Sequence, residues 1–197
     1  MQRILSYLAQ KVIVDQLSRS PAFQRLALRI AAQLKKGEAW VQALYADETT
    51  SQLFAAAGRD VQVWSIQRGT LLMCLQGLHD LPVTAVIYCA VQKYVVTGSA
   101  DRSIRVWDAS KSKLSLSDTL LGHTRRVVGL REDTLSRTLL SVSDDGTIKL
   151  WDPATGACLR TLEAGDYVMS LCVVGCKIVS GIFENVRILV WNTATWQ

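Results

Sequence analysis

Histidine and proline are scarce in this 197-residue chain, with two of the former (His79 and His123) and three of the latter. Two histidines leave little material for a His-rich metal centre. With 49% hydrophobic and 20% charged residues, so little proline excludes a wholly disordered chain. No apolar stretch nears the ~20 residues that cross a bilayer as a helix. The opening Met1-Gln2-Arg3-Ile4-Leu5-Ser6 has no long apolar run before a small-residue cleavage site, which argues against secretion. A phosphate-cradling glycine loop is missing as well, because Gly58, Gly98, Gly146 and Gly156 fall at strand ends or turns. No paired carboxylates, Cys–His dyad or metal cluster stands outside the repeats described below. Together these absences predict a protein that is not an enzyme, with no cofactor, no metal and no small-molecule substrate.

Acidic residues are nearly absent from the N-terminal segment. Residues 1–37 hold Arg3, Lys11, Arg19, Arg25, Arg29, Lys35 and Lys36 against Asp15 alone, so the net charge of +5 is concentrated there. A nucleic-acid-binding domain carries its positive charge on the folded body, so nucleic acid is the weaker alternative. A solvated helix face, an acidic partner or peripheral contact with an anionic membrane surface fits better. The five cysteines, Cys74, Cys89, Cys158, Cys172 and Cys176, are odd in number and sit in apolar runs. They read as reduced, buried thiols of a cytoplasmic protein. Cys172 and Cys176, with no histidine nearby, make a poor zinc pair.

The chain has two periodicities. Residues 1–37 read as a basic extension of two amphipathic helices. The first carries Ile4, Leu5, Leu8, Val12 and Ile13. The second starts at Ser20-Pro21, a good helix N-terminus, and puts Phe23, Leu26, Ala27, Ile30 and Leu34 on one face before a Gly37 cap. An acid-poor segment with Arg and Ser also fits an organellar address, which would make the chain a mitochondrial accessory subunit. The caps at both ends of the second helix favour a retained structural element. From about Trp40 the period becomes two, and residues 38–197 form a second, mainly β segment. Its expected strands include Trp40–Ala46, Val83–Tyr88, Tyr94–Gly98, Ile104–Trp107, Val127–Leu130, Leu139–Val142, Ile148–Trp151, Met169–Val174 and Lys177–Ser180.

An internal repeat runs through this β segment. Tryptophans at 64, 107, 151 and 191 recur at intervals of 43, 44 and 40 residues, each behind an alternating apolar run such as Ile104-Arg105-Val106 or Ile148-Lys149-Leu150. Asp101 and Asp145 stand six residues before two of them, and His79 and His123 lie 44 apart upstream.

These elements resemble the WD-repeat family of β-propellers: Trp107-Asp108 and Trp151-Asp152, Gly122-His123, and the Thr97–Asp101 and Ser141–Asp145 segments. The resemblance covers about residues 40–196 and implies about four blades preceded by the helical extension. It also implies that His79, Thr97, Asp101 and Trp107 form one hydrogen-bonded set and that His123, Ser141, Asp145 and Trp151 form another. These sets stiffen each blade. A histidine, an aspartate and a hydroxyl are also the parts of a hydrolytic triad, but repetition in successive blades argues for a structural role.

Some repeats depart from the pattern. Asp60 precedes Trp64 by only four residues, which shortens the first hairpin, and the fourth repeat has no histidine and carries Asn192 after Trp191. Propellers of this family usually close with about seven blades of ~40 residues, so four leave an incomplete ring. The open face of the fourth blade is expected to include some of Met169, Leu171, Val173, Ile178 and Val190. The resemblance therefore implies a non-catalytic protein–protein interaction scaffold, a subunit of a larger assembly. Its partners would be other protein subunits, or further copies of itself, bound through an open blade face. Arg125 and Arg126, on the loop after His123, are the candidate partner-binding residues.

Overall fold

The structure, a computed structural model, describes residues 41–47, 49–110, 114–165, 168–174, 177–182 and 188–192. The two helices expected in residues 1–37 lie outside the described residues, as does Trp40. Every regular element described is a strand. The first sheet comprises β1 (Val41–Asp47), β2 (Gln52–Ala57), β3 (Asp60–Ser65) and β4 (Thr70–Leu75). The second comprises β5 (Val83–Cys89), β6 (Tyr94–Ser99), β7 (Ile104–Asp108) and β8 (Ser115–Leu120). The third holds β9 (Val127–Asp133), β10 (Thr138–Ser143), β11 (Thr147–Trp151) and β12 (Cys158–Glu163). The fourth has three described strands, β13 (Val168–Val174), β14 (Lys177–Ile182) and β15 (Ile188–Asn192).

Each sheet, or blade, is a run of antiparallel neighbours in chain order, as short hairpin connections require. Trp64, Trp107, Trp151 and Trp191 all fall on the third strand of their blade. The ladder to the fourth strand slips by one residue at Trp64, Trp107 and Trp151, so the same bulge recurs beside each of these large rings. The chain divides into two compact units after Val83, with blade 1 in the first and the rest of the sheets in the second.

The β10–β11 turn shows why its sequence matters. Ser143 Oγ accepts the amide of Asp145 at 3.1 Å, Asp145 Oδ1 accepts the amide of Thr147 at 3.0 Å, and Gly146 between them has φ 77°. The β6–β7 turn repeats this with Ser99, Asp101 and Ser103, but Arg102, φ 74°, occupies the left-handed position. A side chain there costs about 1–2 kcal/mol. Gly146→Ala is therefore expected to lower stability by about 1 kcal/mol. Arg102→Gly should leave it unchanged or slightly raised, because the added freedom of the unfolded chain offsets the relief. Denaturant melts of the two variants check this.

In the second unit the blades meet face to face. Leu140, Val142, Ile148 and Leu150 of blade 3 cluster with Val168, Leu171 and Ile178 of blade 4, and Trp191 packs against them half-buried. Two residues expected on the open face of blade 4, Leu171 and Ile178, thus point inward, because they lie on the side that blade 3 covers. Val190 is exposed, and the side chains of Met169 and Val173 are not among those described. Between blades 2 and 3, Gly98 lets β9 approach: a Cβ there would sit 2.6 Å from Val127 Cγ1. Thr84 Oγ1 bonds the carbonyls of Gly98 and Val127 across the same seam. Of the cysteines, Cys89 is buried as expected. Cys74 and Cys158 are exposed, because they sit on the outermost strand of their blades, which faces solvent.

Candidate functional site

The most strongly connected polar group lies where the loop ahead of β9 crosses the β10–β11 hairpin. Trp151 Nε1 donates to Ser141 Oγ at 2.8 Å, and Ser141 Oγ lies 2.7 Å from His123 Nε2. On the other side of the ring, His123 Nδ1 lies 2.8 Å from Asp145 Oδ2. The same Oδ2 accepts the amide of Thr124 at 2.9 Å, and Oδ1 accepts the Thr147 amide and hydroxyl at 3.0 and 2.7 Å. The indole has a hydrogen to give and no acceptor. Proton polarity then runs one way: indole N–H to serine oxygen, serine hydroxyl to imidazole Nε2, and Nδ1–H to the carboxylate.

Protonation follows from this arrangement. Burial pushes the His123 pKa down, nearby Lys149 adds to the fall, and Asp145 only partly opposes it, so the ring is neutral at pH 7. Burial alone would raise the pKa of Asp145. Hydrogen bonds from Thr147, Thr124 and His123 outweigh it and hold the carboxyl down at about 2. Both groups therefore favour the unprotonated form in the folded state, and both contributions are lost as pH falls. The His123 part should begin to fade below its ordinary value of 6.5, and the Asp145 part between 3.8 and about 2. Wild-type melting temperature is expected to fall from pH 7 to pH 5. The His123→Asn variant, already less stable, should show a flatter slope over that range.

Connectivity alone makes Ser141, His123 and Asp145 look like a triad, but accessibility does not match. Ser141 and the His123 side chain are completely buried, and the hydroxyl oxygen already accepts the indole hydrogen. No carbonyl substrate can reach it. Cys89 is no nucleophile either. Burial drives its thiol pKa up, and neighbouring Glu132 adds to the rise, so the thiolate is disfavoured. Among the described residues, no group of three or more His, Cys, Asp or Glu has the disposition of a metal site. Cys172 and Cys176 fall outside the described side chains.

The other blades carry variants of this arrangement. In the second unit, Trp107 Nε1 donates to Thr97 Oγ1 at 2.9 Å, and Asp101 Oδ1 accepts the amide and hydroxyl of Ser103. His79 belongs to the first unit, where it is buried and its carbonyl accepts Arg59 Nε at 2.6 Å. In blade 1, Ala55 occupies the register position of Thr97 and Ser141, and no hydroxyl is available. Trp64 Nε1 turns instead to Gln62 Oε1 at 3.2 Å. Sequence reasoning missed this substitution, because Ala55 and Gln62 are brought opposite each other only by the pairing of β2 with β3. In blade 4, Trp191 Nε1 is buried without a hydrogen-bond partner among the described residues.

On the rim, Arg126 Nε donates to Asp144 Oδ2 at 2.9 Å, and both groups are partly open to solvent. The Arg125 carbonyl accepts Ser143 Oγ at 3.1 Å, which ties the loop to the hairpin and leaves the residue exposed.

Comparison with known proteins adds the following. A family model described as WD domain, G-beta repeat, matches residues 69–108 and 114–152. Each matched stretch begins on or next to the last strand of one blade and runs to the third strand of the next. Nuclear distribution protein PAC1-1 of Uncinocarpus reesii is 35% identical over 147 residues, covering 73% of this chain and 32% of that protein. Autophagy-related protein 16 of Arabidopsis thaliana is 31% identical over 145 residues, 70% of this chain and 27% of that protein. A chain in the crystal structure of a mitotic checkpoint complex superposes with a TM-score of 0.72 over 82% of this chain and 50% of that chain. At 20% identity, that likeness concerns the fold. The chain spans about a third or less of the curated relatives it matches.

Proposed function

This chain belongs to the WD-repeat family of β-propellers, and from that premise we propose that it is a non-catalytic adaptor, a subunit that holds other proteins in a larger assembly. The observation that carries the reading is the His123–Asp145 group. Its reactive-looking atoms are buried and bonded to one another, so they serve rigidity, and binding falls to the rim loops and blade faces. In the same reading, His79, Thr97, Asp101 and Trp107 stiffen blade 2. Arg125 and Arg126 present positive charge to an acidic partner surface. Residues 1–37 form an extension to a repeat segment spanning 38–197, and the blades make an incomplete ring whose partner, another subunit or a second copy, enters at an open blade face. Exposed unpaired thiols at Cys74 and Cys158 suit a reducing compartment, which favours the cytoplasm.

Two measurements test the proposal. The purified chain should not turn over activated esters, and Ser141→Ala should change nothing in that assay. The full chain used as bait should retain a stoichiometric protein partner, and the Arg125→Ala/Arg126→Ala variant should weaken that capture with a loss of stability of no more than about 1 kcal/mol from the exposed Arg126–Asp144 pair. Ester turnover that disappears with Ser141→Ala would overturn the adaptor reading.

A further inference from the structure

On blades 2 and 3, the turns at the rim opposite His123 and Arg126 share a composition that blade 1 lacks. The β5–β6 turn reads Val91-Gln92-Lys93 and the β9–β10 turn Leu135-Ser136-Arg137, at matching offsets from the ends of β5 and β9. The same offsets from the end of β1 hold Thr49-Thr50-Ser51. Val91 and Leu135 are 66% and 73% exposed. Two residues on, Lys93 and Arg137 are exposed and left-handed, both at φ 57°. The backbone conformation belongs to the turn, because Ser51 shares it at φ 52°. What blades 2 and 3 add is an apolar tip and a long basic side chain. No hydrogen bond or ion pair among the described residues engages the Lys93 or Arg137 side chain.

Between the two turns lies a cavity of about 420 Å³, walled by Gln92 and Tyr94 of blade 2 and by Arg137, Thr138, Pro153 and Leu159 of blade 3. Leu159 is itself 55% exposed. Both blades have all four strands described and adjoin within the second unit, so the cavity depends on neither end of the chain. The acids described near this rim are turned to their own surroundings. Asp133 is buried and accepts the Leu135 amide and Ser136 hydroxyl at 3.0 and 2.6 Å. Asp108 accepts the Ser110 amide at 2.8 Å. Asp152, in the cavity wall, accepts the Ala154 amide and Thr155 hydroxyl at 2.9 and 2.8 Å. Glu132 is half-buried and faces Cys89. The charges that project from the two turns are therefore basic.

We propose that this groove binds an extended acidic segment of a partner protein, with a large apolar side chain seated between Tyr94 and Leu159 and carboxylates paired with Lys93 and Arg137. This rests on the adaptor reading and gives one partner a site and a chemistry, on the rim away from Arg125 and Arg126. Charge complementarity sets the sign of the partner. A peptide fits better than a nucleic acid, because Tyr94 is the one aromatic ring in the wall and stacked bases need several such platforms. Val91 and Leu135 then cover apolar residues on either side of the seated one.

Selection of peptides from a random display library on the full chain tests the proposal. The selected sequences should join acidic residues to a bulky apolar one, and added salt should weaken their binding. Val91→Ser with Leu135→Ser, at exposed turn tips that the fold tolerates, should weaken that binding at least about tenfold. Lys93→Gly with Arg137→Gly should weaken it comparably without lowering the melting temperature, because glycine holds the left-handed conformation without strain. Arg125→Ala with Arg126→Ala, on the other rim, should leave it unchanged. A library that yields no binder, selected peptides without acidic residues, or binding that survives both pairs of turn substitutions overturns the proposal. Tighter binding of a single-stranded oligonucleotide at Lys93 and Arg137 would overturn it in favour of nucleic acid. A protein partner still captured by the full chain would in each case leave the adaptor reading standing.

Discussion

Replacing Trp151 with alanine is expected to destabilise the protein by about 3–5 kcal/mol. The ring is 1% exposed, so truncation leaves a large cavity in blade 3. Trp151→Phe separates volume from hydrogen bonding. It keeps most of the ring but removes the donor to Ser141, so the serine loses a partner inside the protein. That change should cost about 1–3 kcal/mol. Trp191→Phe provides the contrast. Its indole N–H is buried with no partner among the described residues and its ring is only half-buried. Removing that N–H should leave stability unchanged or slightly raised, because a buried donor with no partner is itself costly. Denaturant melts of Trp151→Phe and Trp191→Phe decide the matter, and equal losses would show that the tryptophans matter only as apolar bulk.

Asp145→Ala is the second large effect, at about 1–3 kcal/mol. The carboxylate is the common acceptor for His123, the Thr124 amide and the Thr147 amide and hydroxyl; His123 Nδ1 also lies 3.2 Å from the Thr147 hydroxyl, which is a weaker alternative than the carboxylate. Neighbouring Asp144 is the control. It pairs with Arg126 near solvent, and a pair of that kind contributes about 0–1 kcal/mol. Thermal melts should therefore fall clearly for Asp145→Ala and barely for Asp144→Ala. An unchanged melt for Asp145→Ala would remove the carboxylate from the account of what holds blade 3 together.

How much was readable depends on the kind of signal. The tryptophan spacing located all four third strands, because a repeat that must stack in space has to recur at one length in sequence. Third-strand positions followed from alternation, as in Ile104-Arg105-Val106 and Ile148-Lys149-Leu150, because successive side chains point to opposite faces and only one of those faces is fully buried. Residue identity at a single register position was harder to read. Ala55 removes the hydroxyl from blade 1, and the replacement by Gln62 becomes visible only once β2 and β3 are paired. Burial was legible as a pattern but not as a direction. Leu171, Ile178 and Val190 are all apolar residues on blade 4 strands, yet the first two face blade 3 and the third faces outward.

The sequence by itself determined the local rules of this protein: hairpins at Asp144-Asp145-Gly146, strands of period two, and a repeated set of histidine, hydroxyl, aspartate and tryptophan. These depend on neighbours along the chain and on the chemistry of single side chains. Tertiary structure alone decided which faces meet. Gly98 is an ordinary strand residue until Val127 lies against it, and Ser141 with His123 resembles a hydrolytic pair until Trp151 closes over the hydroxyl. Both outcomes depend on residues far apart in sequence becoming close in space, where burial turns reactive-looking groups into buried, mutually bonded ones and leaves Val190 uncovered.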